Sequence, residues 1–254
     1  MQLIAIANQK GGCAKTTTVV NLAAVLCESG YQVLVIDLDP QGNSTTWLGV
    51  DMPSSGGSFD LMAKNVSPYD LISPAKSIDN LSVIPASKDL TMLESAIHSV
   101  EAVESVLRRK LLALTSNQFD YVLIDTPPTL GLLTMNALVA SSHLLIPVTT
   151  HVLSLSGVAQ LLEKVEEVRI DLNPALSILG VVASRVDLRT RHSQEVYEAL
   201  LDHFGDLVMT TTIRENVRLA EAPSFGLPIT LYDNNGRAAQ DFRSLCAEVQ
   251  SRLI

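Results

Sequence analysis

The stretch Leu3–Thr17, LIAIANQKGGCAKTT, decides the fold class. Leu3–Ala7 is apolar without alternation, as in a strand buried on both faces of a parallel sheet. Asn8 to Thr17 then brings adjacent glycines, two lysines and two threonines, and a helical pattern runs from Thr16 to Ser29. A strand that breaks into a glycine-rich loop opening a helix is suited to holding phosphate. The glycines let backbone N–H groups curl round the oxygens, and the helix N-terminus adds its positive end. On that reading Gly11, Gly12, Cys13, Ala14, Lys15, Thr16 and Thr17 form the cradle. Lys15 reaches the β- and γ-phosphates, and the Thr16 hydroxyl is placed to ligate Mg²⁺. The strict pattern GxxxxGK[ST] is not satisfied, because Gln9 and Ala14 stand where it requires glycine. The loop is instead K-G-G-x-x-K-T-T, with Lys10 ahead of Lys15. The plain alternative is a Gly-Gly turn with two solvated lysines; the placement between a first strand and a helix favours the phosphate reading.

Working outward, Val33–Asp37, Leu81–Pro85, Tyr121–Asp125, Leu144–Val148 and Ile178–Ala183 read as further strands, most of them apolar throughout. Helical patterns lie at Thr16–Ser29, Leu90–Thr115, Leu132–Ala140, Gly157–Ile170 and Gln194–His203. Gly236–Ile254 reads as a closing helix that packs through Ala239, Phe242, Leu245, Val249 and Leu253. This alternation predicts a doubly wound, mostly parallel α/β sheet flanked by helices, one domain over 1–254. Pro53–Ser58 (PSSGGS) reads as a mobile surface loop.

The chain has 254 residues, 47% of them hydrophobic, and a net charge of −9. That apolar content supports a sizeable core and excludes disorder as the dominant state. Three widely spaced cysteines form no CxxC or Cys/His cluster, which argues against a disulfide scaffold or structural zinc and fits a reducing cytosol. The N-terminus lacks the pattern of a signal peptide, and no apolar run approaches the roughly 20 residues that span a bilayer. His98, His143, His151, His192 and His203 are scattered, without metal-ligand spacing, and there is no GxSxG.

Asp37 and Asp39 follow one buried strand and Asp125 ends another. C-terminal strand edges of a parallel sheet line its ligand crevice, so these carboxylates converge on the phosphate loop. An aspartate at a strand end also serves as a cap or in a turn, and Asp37 taken alone fits either role. Thr126-Pro127-Pro128 turns the chain at a place suited to sensing a γ-phosphate.

KGGCAKTT followed by VLVIDLDPQGNST resembles the ParA/Soj partition ATPases, of the deviant Walker A family that includes MinD and the nitrogenase iron protein. The likeness continues through Tyr121–Pro128 (YVLIDTPP), Asn136–Val148, Val186–Thr190 (VDLRT) and Ile213–Gly226 (IRENVRLAEAPSFG), nearly the whole chain. It implies a P-loop ATPase that uses ATP and Mg²⁺, with Lys10, Lys15 and Asp39 as the catalytic group. Lys10 is then the signature lysine, reaching phosphates bound by the other subunit of an ATP-sandwich homodimer. Asp39 positions or activates the attacking water, Asp125 holds Mg²⁺ through a water, and Asp37 supports the site. Ala14 departs from the family's usual glycine, which is tolerable at negative φ. Cys13 and Cys27 lie in the loop and its helix, which disfavours the iron–sulfur relatives.

From Arg185 onward every cation is arginine, eight in all, against ten acidic residues. Taken singly, each reads as half of a surface ion pair. The resemblance makes Arg189 and Arg218 candidates for non-specific contact with double-stranded DNA, with Arg191 and Arg214 weaker ones, and implies a ParB-type partner. No helix-turn-helix precedes the first strand. The segment Ala220–Pro228 is expected near the adenine base. The resemblance as a whole implies a cytoplasmic, nucleoid-associated DNA-segregation switch. Alternatives are a ParA-like positioning ATPase for a protein cargo, a MinD-like membrane regulator, which the absence of a basic amphipathic tail disfavours, and a small-molecule kinase or ligase.

Overall fold

The computed structural model describes residues 1–114, 118–150, 154–187 and 189–253. Eight strands form one sheet in the order β3-β4-β2-β5-β1-β6-β7-β8. They are β1 Gln2–Ile6, β2 Val33–Asp37, β3 Ser73–Pro74, β4 Leu81–Ile84, β5 Tyr121–Asp125, β6 His143–Thr149, β7 Ser177–Val186 and β8 Ile213–Arg214. Among the described residues only the β3–β4 pair is antiparallel. All six expected strands are present; the additions, β3 and β8, are two-residue edges too short to leave a periodic signal.

The unbroken apolar runs have a direct cause. Ile4 and Ile6 of β1 pack into a core with Val33 and Val35 of β2 on one face of the sheet, while Ala5, Leu34 and Ile36 belong to the core on the opposite face. Adjacent residues along a strand point to opposite faces, so a strand covered on both sides needs apolar residues at every position. Helix α1 (Lys15–Glu28) covers the first face together with the closing helix Arg237–Arg252. In the closing helix Ala239, Phe242, Leu245 and Val249 are buried, as its spacing predicts.

Short helices α2 (Asn43–Trp47) and α3 (Ser58–Ala63) follow β2. The single helix expected over Leu90–Thr115 is instead broken. It resolves into α4 (Leu93–Ile97) and α5 (Val106–Leu111) with 3₁₀ turns at Lys88–Met92 and Val103–Ser105, and Thr115 lies outside the described residues. The break falls at Ala102, whose φ is +50°. Buried Asn136 compensates: its Oδ1 accepts the Leu107 N–H at 3.0 Å and its Nδ2 donates to the Val103 carbonyl at 2.9 Å. A tertiary hydrogen-bond pair of this kind outweighs local helix propensity, a matter of tenths of a kcal/mol per residue.

Asn136 lies on α6 (Leu132–Ala140), and α7 (Ser154–Asp171) and α8 (Arg191–Phe204) follow β6 and β7. The start of α8 precedes the expected Gln194, because the Thr190 hydroxyl caps it by accepting the Ser193 N–H. Helices α9 (Val217–Glu221), α10 (Ile229–Tyr232) and α11 (Arg237–Arg252) complete the chain; Ile254, the expected end of α11, is outside the described residues. Among the described residues no helix is long and apolar enough to cross a membrane.

The expectation of a mobile loop over Pro53–Ser58 also fails in its second half. Gly57 and Ser58 are buried, and the Gly56 N–H is held by Asp60 Oδ2 at 2.9 Å. The Ser58 N–H donates to the Pro85 carbonyl at 2.8 Å, and its hydroxyl donates to the Asp37 carbonyl at 2.6 Å. A serine- and glycine-rich segment here braces the strand end that carries Asp37.

Candidate functional site: a nucleotide cradle at the sheet edge

The order β2-β5-β1 places three C-terminal strand ends side by side. Asp37 is in register with Asp125, and Asp125 with Ile6, whose strand runs directly into the loop at Asn8. The loop is anchored by Asn8, whose Nδ2 donates to the Pro147 carbonyl at 2.7 Å and whose Oδ1 accepts the Lys10 N–H at 3.1 Å. Gly12 has φ +72°, and a Cβ on Gly11 or Gly12 would project into open space. The loop thus presents bare backbone outward.

Ala14 takes φ +69° and ψ 26°, so the condition under which alanine replaces glycine without strain, a negative φ, is not met. Left-handed backbone costs a residue with a Cβ about 1–2 kcal/mol. Its carbonyl holds it there by accepting the Thr18 N–H at 2.9 Å and the Thr18 hydroxyl at 2.8 Å. The strain sits in the loop that contacts phosphate, where strained residues concentrate.

Lys15 is buried, and its Nζ donates to the Lys10 carbonyl at 3.4 Å. The Thr16 hydroxyl donates to Asp125 Oδ2 at 2.8 Å, while buried Asp125 Oδ1 has no partner. Burial first, and then the neighbouring Asp37, push the Asp125 carboxyl up to about 8, against the opposing pull of Thr16 and Lys15. A hydroxyl and a carboxylate with one orphaned buried oxygen make an oxygen donor set that fits Mg²⁺, and the cation's charge would oppose the repulsion from the other aspartates. Among the described residues no cluster of three His, Cys, Asp or Glu forms a separate metal site.

Asp37 is fully buried and committed to structure. Its Oδ1 accepts the Asp39 N–H at 3.0 Å, and its Oδ2 accepts the Thr45 N–H at 2.9 Å and the Thr45 hydroxyl at 2.6 Å. Asp39 Oδ1 accepts the Gln41 N–H at 2.9 Å, which aims the carboxylate at the cavity. No catalytic or phosphate-binding motif marks Thr45 or Ser58 in the sequence. The one available signal for Thr45 is its place in the turn-rich run after Asp37.

The loop, Asp39 and Pro128 line one end of a cavity of about 510 Å³. Ser184, Arg185, Ile213, Glu215, Asn216 and Phe242 line the other end, together with Arg214 and Ala220. Ile213, Arg214, Glu215, Asn216 and Ala220 belong to the Ile213–Gly226 segment that carries the resemblance, whereas Ser184 and Arg185 belong to no motif and join the wall because β8 pairs with β7. Of the segment expected near adenine, Ala220 lines the cavity. Its later part packs on α2, where Trp47 Nε1 donates to the Leu227 carbonyl at 2.7 Å.

Each of the four arginine candidates has a carboxylate partner: Arg189 with Asp187, Arg191 with Glu195, Arg214 with Asp241, and Arg218 with Glu221. Arg189 and Arg191 project from the turn before α8 and its first residue, while Arg214 stands in the cavity wall.

A phosphate loop between a first parallel strand and a helix, with carboxylates on the adjoining strand ends, defines a P-loop nucleotide hydrolase. Residues 1–178 match the family model described as AAA domain. The chain is 43% identical over 249 residues to the sporulation initiation inhibitor protein Soj of Bacillus subtilis, covering 98% of each chain. It is 40% identical over 253 residues to the chromosome partitioning protein ParA of Caulobacter vibrioides, covering 99% of this chain and 95% of that one. The structure of cobyrinic acid a,c-diamide synthase from Mycobacterium smegmatis with bound ATP analog and magnesium superposes with TM-score 0.86 at 32% identity, covering 97% and 93%. The chain belongs to the ParA/Soj family of partitioning ATPases. It is an ATPase, and ATP and Mg²⁺ are its nucleotide and metal.

Proposed function

We propose that this chain is an ATP-dependent dimerising switch for DNA segregation. The observation that carries the reading is the position of the two loop lysines. Lys15 is buried in the cradle and lines the cavity, whereas Lys10, in the same loop, is only half-buried and is absent from the cavity lining. A lysine that stands outside its own site fits a role at the phosphates of a second subunit, where it would neutralise charge on the transferring phosphoryl group.

In this reading Gly11 to Thr17 hold the triphosphate, Thr16 and, through a water, Asp125 hold Mg²⁺, and Asp39 orients the attacking water. Asp37 fixes the turn that carries Asp39. When bound, Mg²⁺ would supply charge neutralisation at the triphosphate. Each subunit is incomplete without the other's Lys10, so hydrolysis is slow in the free protein and a ParB-type partner accelerates it. The ATP dimer binds double-stranded DNA without sequence preference through Arg189 and Arg218, with Arg191 in a lesser role; Arg214, in the cavity wall and forked onto Asp241, is assigned to the nucleotide instead. It works in the cytoplasm, on the nucleoid.

The test combines size-exclusion chromatography and DNA retention in non-hydrolysable ATP analogue, in ADP and without nucleotide. A dimer that retains DNA in the analogue alone is the expected result. Dimerisation without DNA retention would move the reading to a protein cargo, and ATP-dependent liposome binding to a membrane regulator.

A further inference from the structure

The cavity end opposite the phosphate loop carries two arginines, and each is held by a carboxylate. Arg185 Nε and Nη2 donate to the two oxygens of Glu215 at 2.9 and 3.2 Å. Arg214 Nη2 donates to Asp241 Oδ1 at 2.5 Å, and its Nε lies 3.0 Å from Oδ2. Both line the cavity while keeping about half of the side chain accessible, 50% for Arg185 and 45% for Arg214.

The backbone is shaped for this. Ser184 pairs with Ile213 and Val186 with Arg214, so Arg185 is the extra residue of a bulge between β7 and β8, held at φ +56°. Bulges re-aim side chains beside functional sites, and non-glycine residues with positive φ concentrate there. The Thr150 hydroxyl, one residue past the end of β6, donates to the Arg185 carbonyl at 3.1 Å and fixes the bulge.

The pairing has a chemical consequence. A free arginine in a nucleotide cavity competes for the triphosphate, because its planar fork matches phosphate oxygens. A guanidinium forked onto a carboxylate has spent its charge and two of its donors, but its flat face remains available to stack on an aromatic ring. The phosphates are assigned to the loop, so the base of the nucleotide lies at this end.

We propose that Arg185 and Arg214, each neutralised by its carboxylate, form a clamp that stacks on the nucleobase and steers the triphosphate toward Lys15. The clamp rests on the nucleotide site alone, not on the DNA or partner steps of the cycle.

The experiment measures affinity for ATP, ADP and inorganic tripolyphosphate by calorimetry in the full chain and in Arg185→Lys, Arg185→Ala, Arg214→Ala and Glu215→Gln. Arg185→Lys keeps the charge and the ability to pair but removes the plane. The arginine variants should each bind ATP and ADP about tenfold more weakly, the loss of one stacking contact, with tripolyphosphate binding within twofold of the parent. Glu215→Gln, which frees Arg185, should bind tripolyphosphate more tightly than the parent. Unchanged ATP affinity in both alanine variants, an equal loss of ATP and tripolyphosphate, or full affinity in Arg185→Lys would each overturn the clamp. Failure of the parent chain to bind either ligand would instead remove the nucleotide site itself.

Discussion

The Thr16 hydroxyl and Asp125 Oδ2 lie 2.8 Å apart, although 109 positions separate them in the chain. One opens α1 and the other ends β5, and the β1–β5 pairing brings them together. This contact joins the phosphate loop to the second carboxylate strand, and it does so through the two groups suited to Mg²⁺. Their joining makes the loop and the acidic edge one site.

Asp125→Asn should separate metal binding from stability. The carboxyl is held up near 8 by burial and by Asp37, so the folded protein keeps its proton in the window between about 4 and 8, where the unfolded chain has lost it. The folded state then binds more protons, and unliganded stability falls as pH rises through that window. The amide removes this slope and leaves thermal stability at pH 7 equal to the parent's or higher. Titrations with and without Mg²⁺ should show that the metal no longer tightens ATP binding. A markedly lower melting temperature would contradict this account of the buried charge.

Ala14→Gly should stabilise the unliganded chain. The left-handed conformation at φ +69° strains alanine by about 1–2 kcal/mol, and glycine's greater freedom when unfolded returns about 0.5–1 of it. A net gain of roughly 0.5–1 kcal/mol is expected in urea melts. Ala14→Val, β-branched in the same conformation, should lose more than about 1 kcal/mol.

Gly57→Ala should damage the site from a distance. A Cβ there would stand 2.5 Å from the Pro85 carbonyl oxygen, at φ +114°. Relieving the clash moves Ser58 away from the Asp37 carbonyl. A loss of about 2–4 kcal/mol in denaturant melts is expected, with ATPase turnover falling more than ATP affinity. A neutral melt would show that the segment yields easily.

The DNA reading makes a paired prediction at one ion pair. Arg189 forks onto Asp187 at 2.8 Å through both Nε and Nη2, and the guanidinium holds the Asp187 carboxyl down at about 2. Arg189→Glu should weaken DNA retention and flatten its salt dependence. Asp187→Asn, which frees the guanidinium for phosphate, should strengthen retention. Arg218→Glu should follow Arg189→Glu, with the ATP-bound dimer intact in all three. Equal retention in every variant would clear this face of DNA contact.

The thiols should be inert in the native state. Burial pushes Cys27 and Cys246 up to about 12, with Glu28 adding to the effect at Cys246, so little thiolate exists at pH 8. Alkylation followed by mass spectrometry should show slow labelling of the folded chain and rapid labelling in denaturant. Labelling of either residue within minutes in the native protein would contradict its burial.

Legibility tracked the range of the interaction. Leu3–Ala7 and the loop after it are read locally, because alternation, glycine placement and the helix start are properties of adjacent residues. The broken helix around Ala102 was illegible, because its reason is Asn136, on another helix. The braced half of Pro53–Ser58 was illegible likewise, since its partners are Asp37 and Pro85. A net charge of −9 also gives no account of the arginines, whose meaning lies in their partners.

By itself the sequence determined a two-sided parallel sheet and a phosphate loop at its first crossover, since both follow from local periodicity and from what glycine, lysine and threonine do next to a phosphate. Tertiary structure alone decided that Asp37 and Asp125 stand side by side, that Ala14 is strained, and that a bulge at Arg185 builds the far wall of the cavity. Strand order and register are set by the packing of distant segments against one another, so the roles of these residues exist only once the sheet has formed.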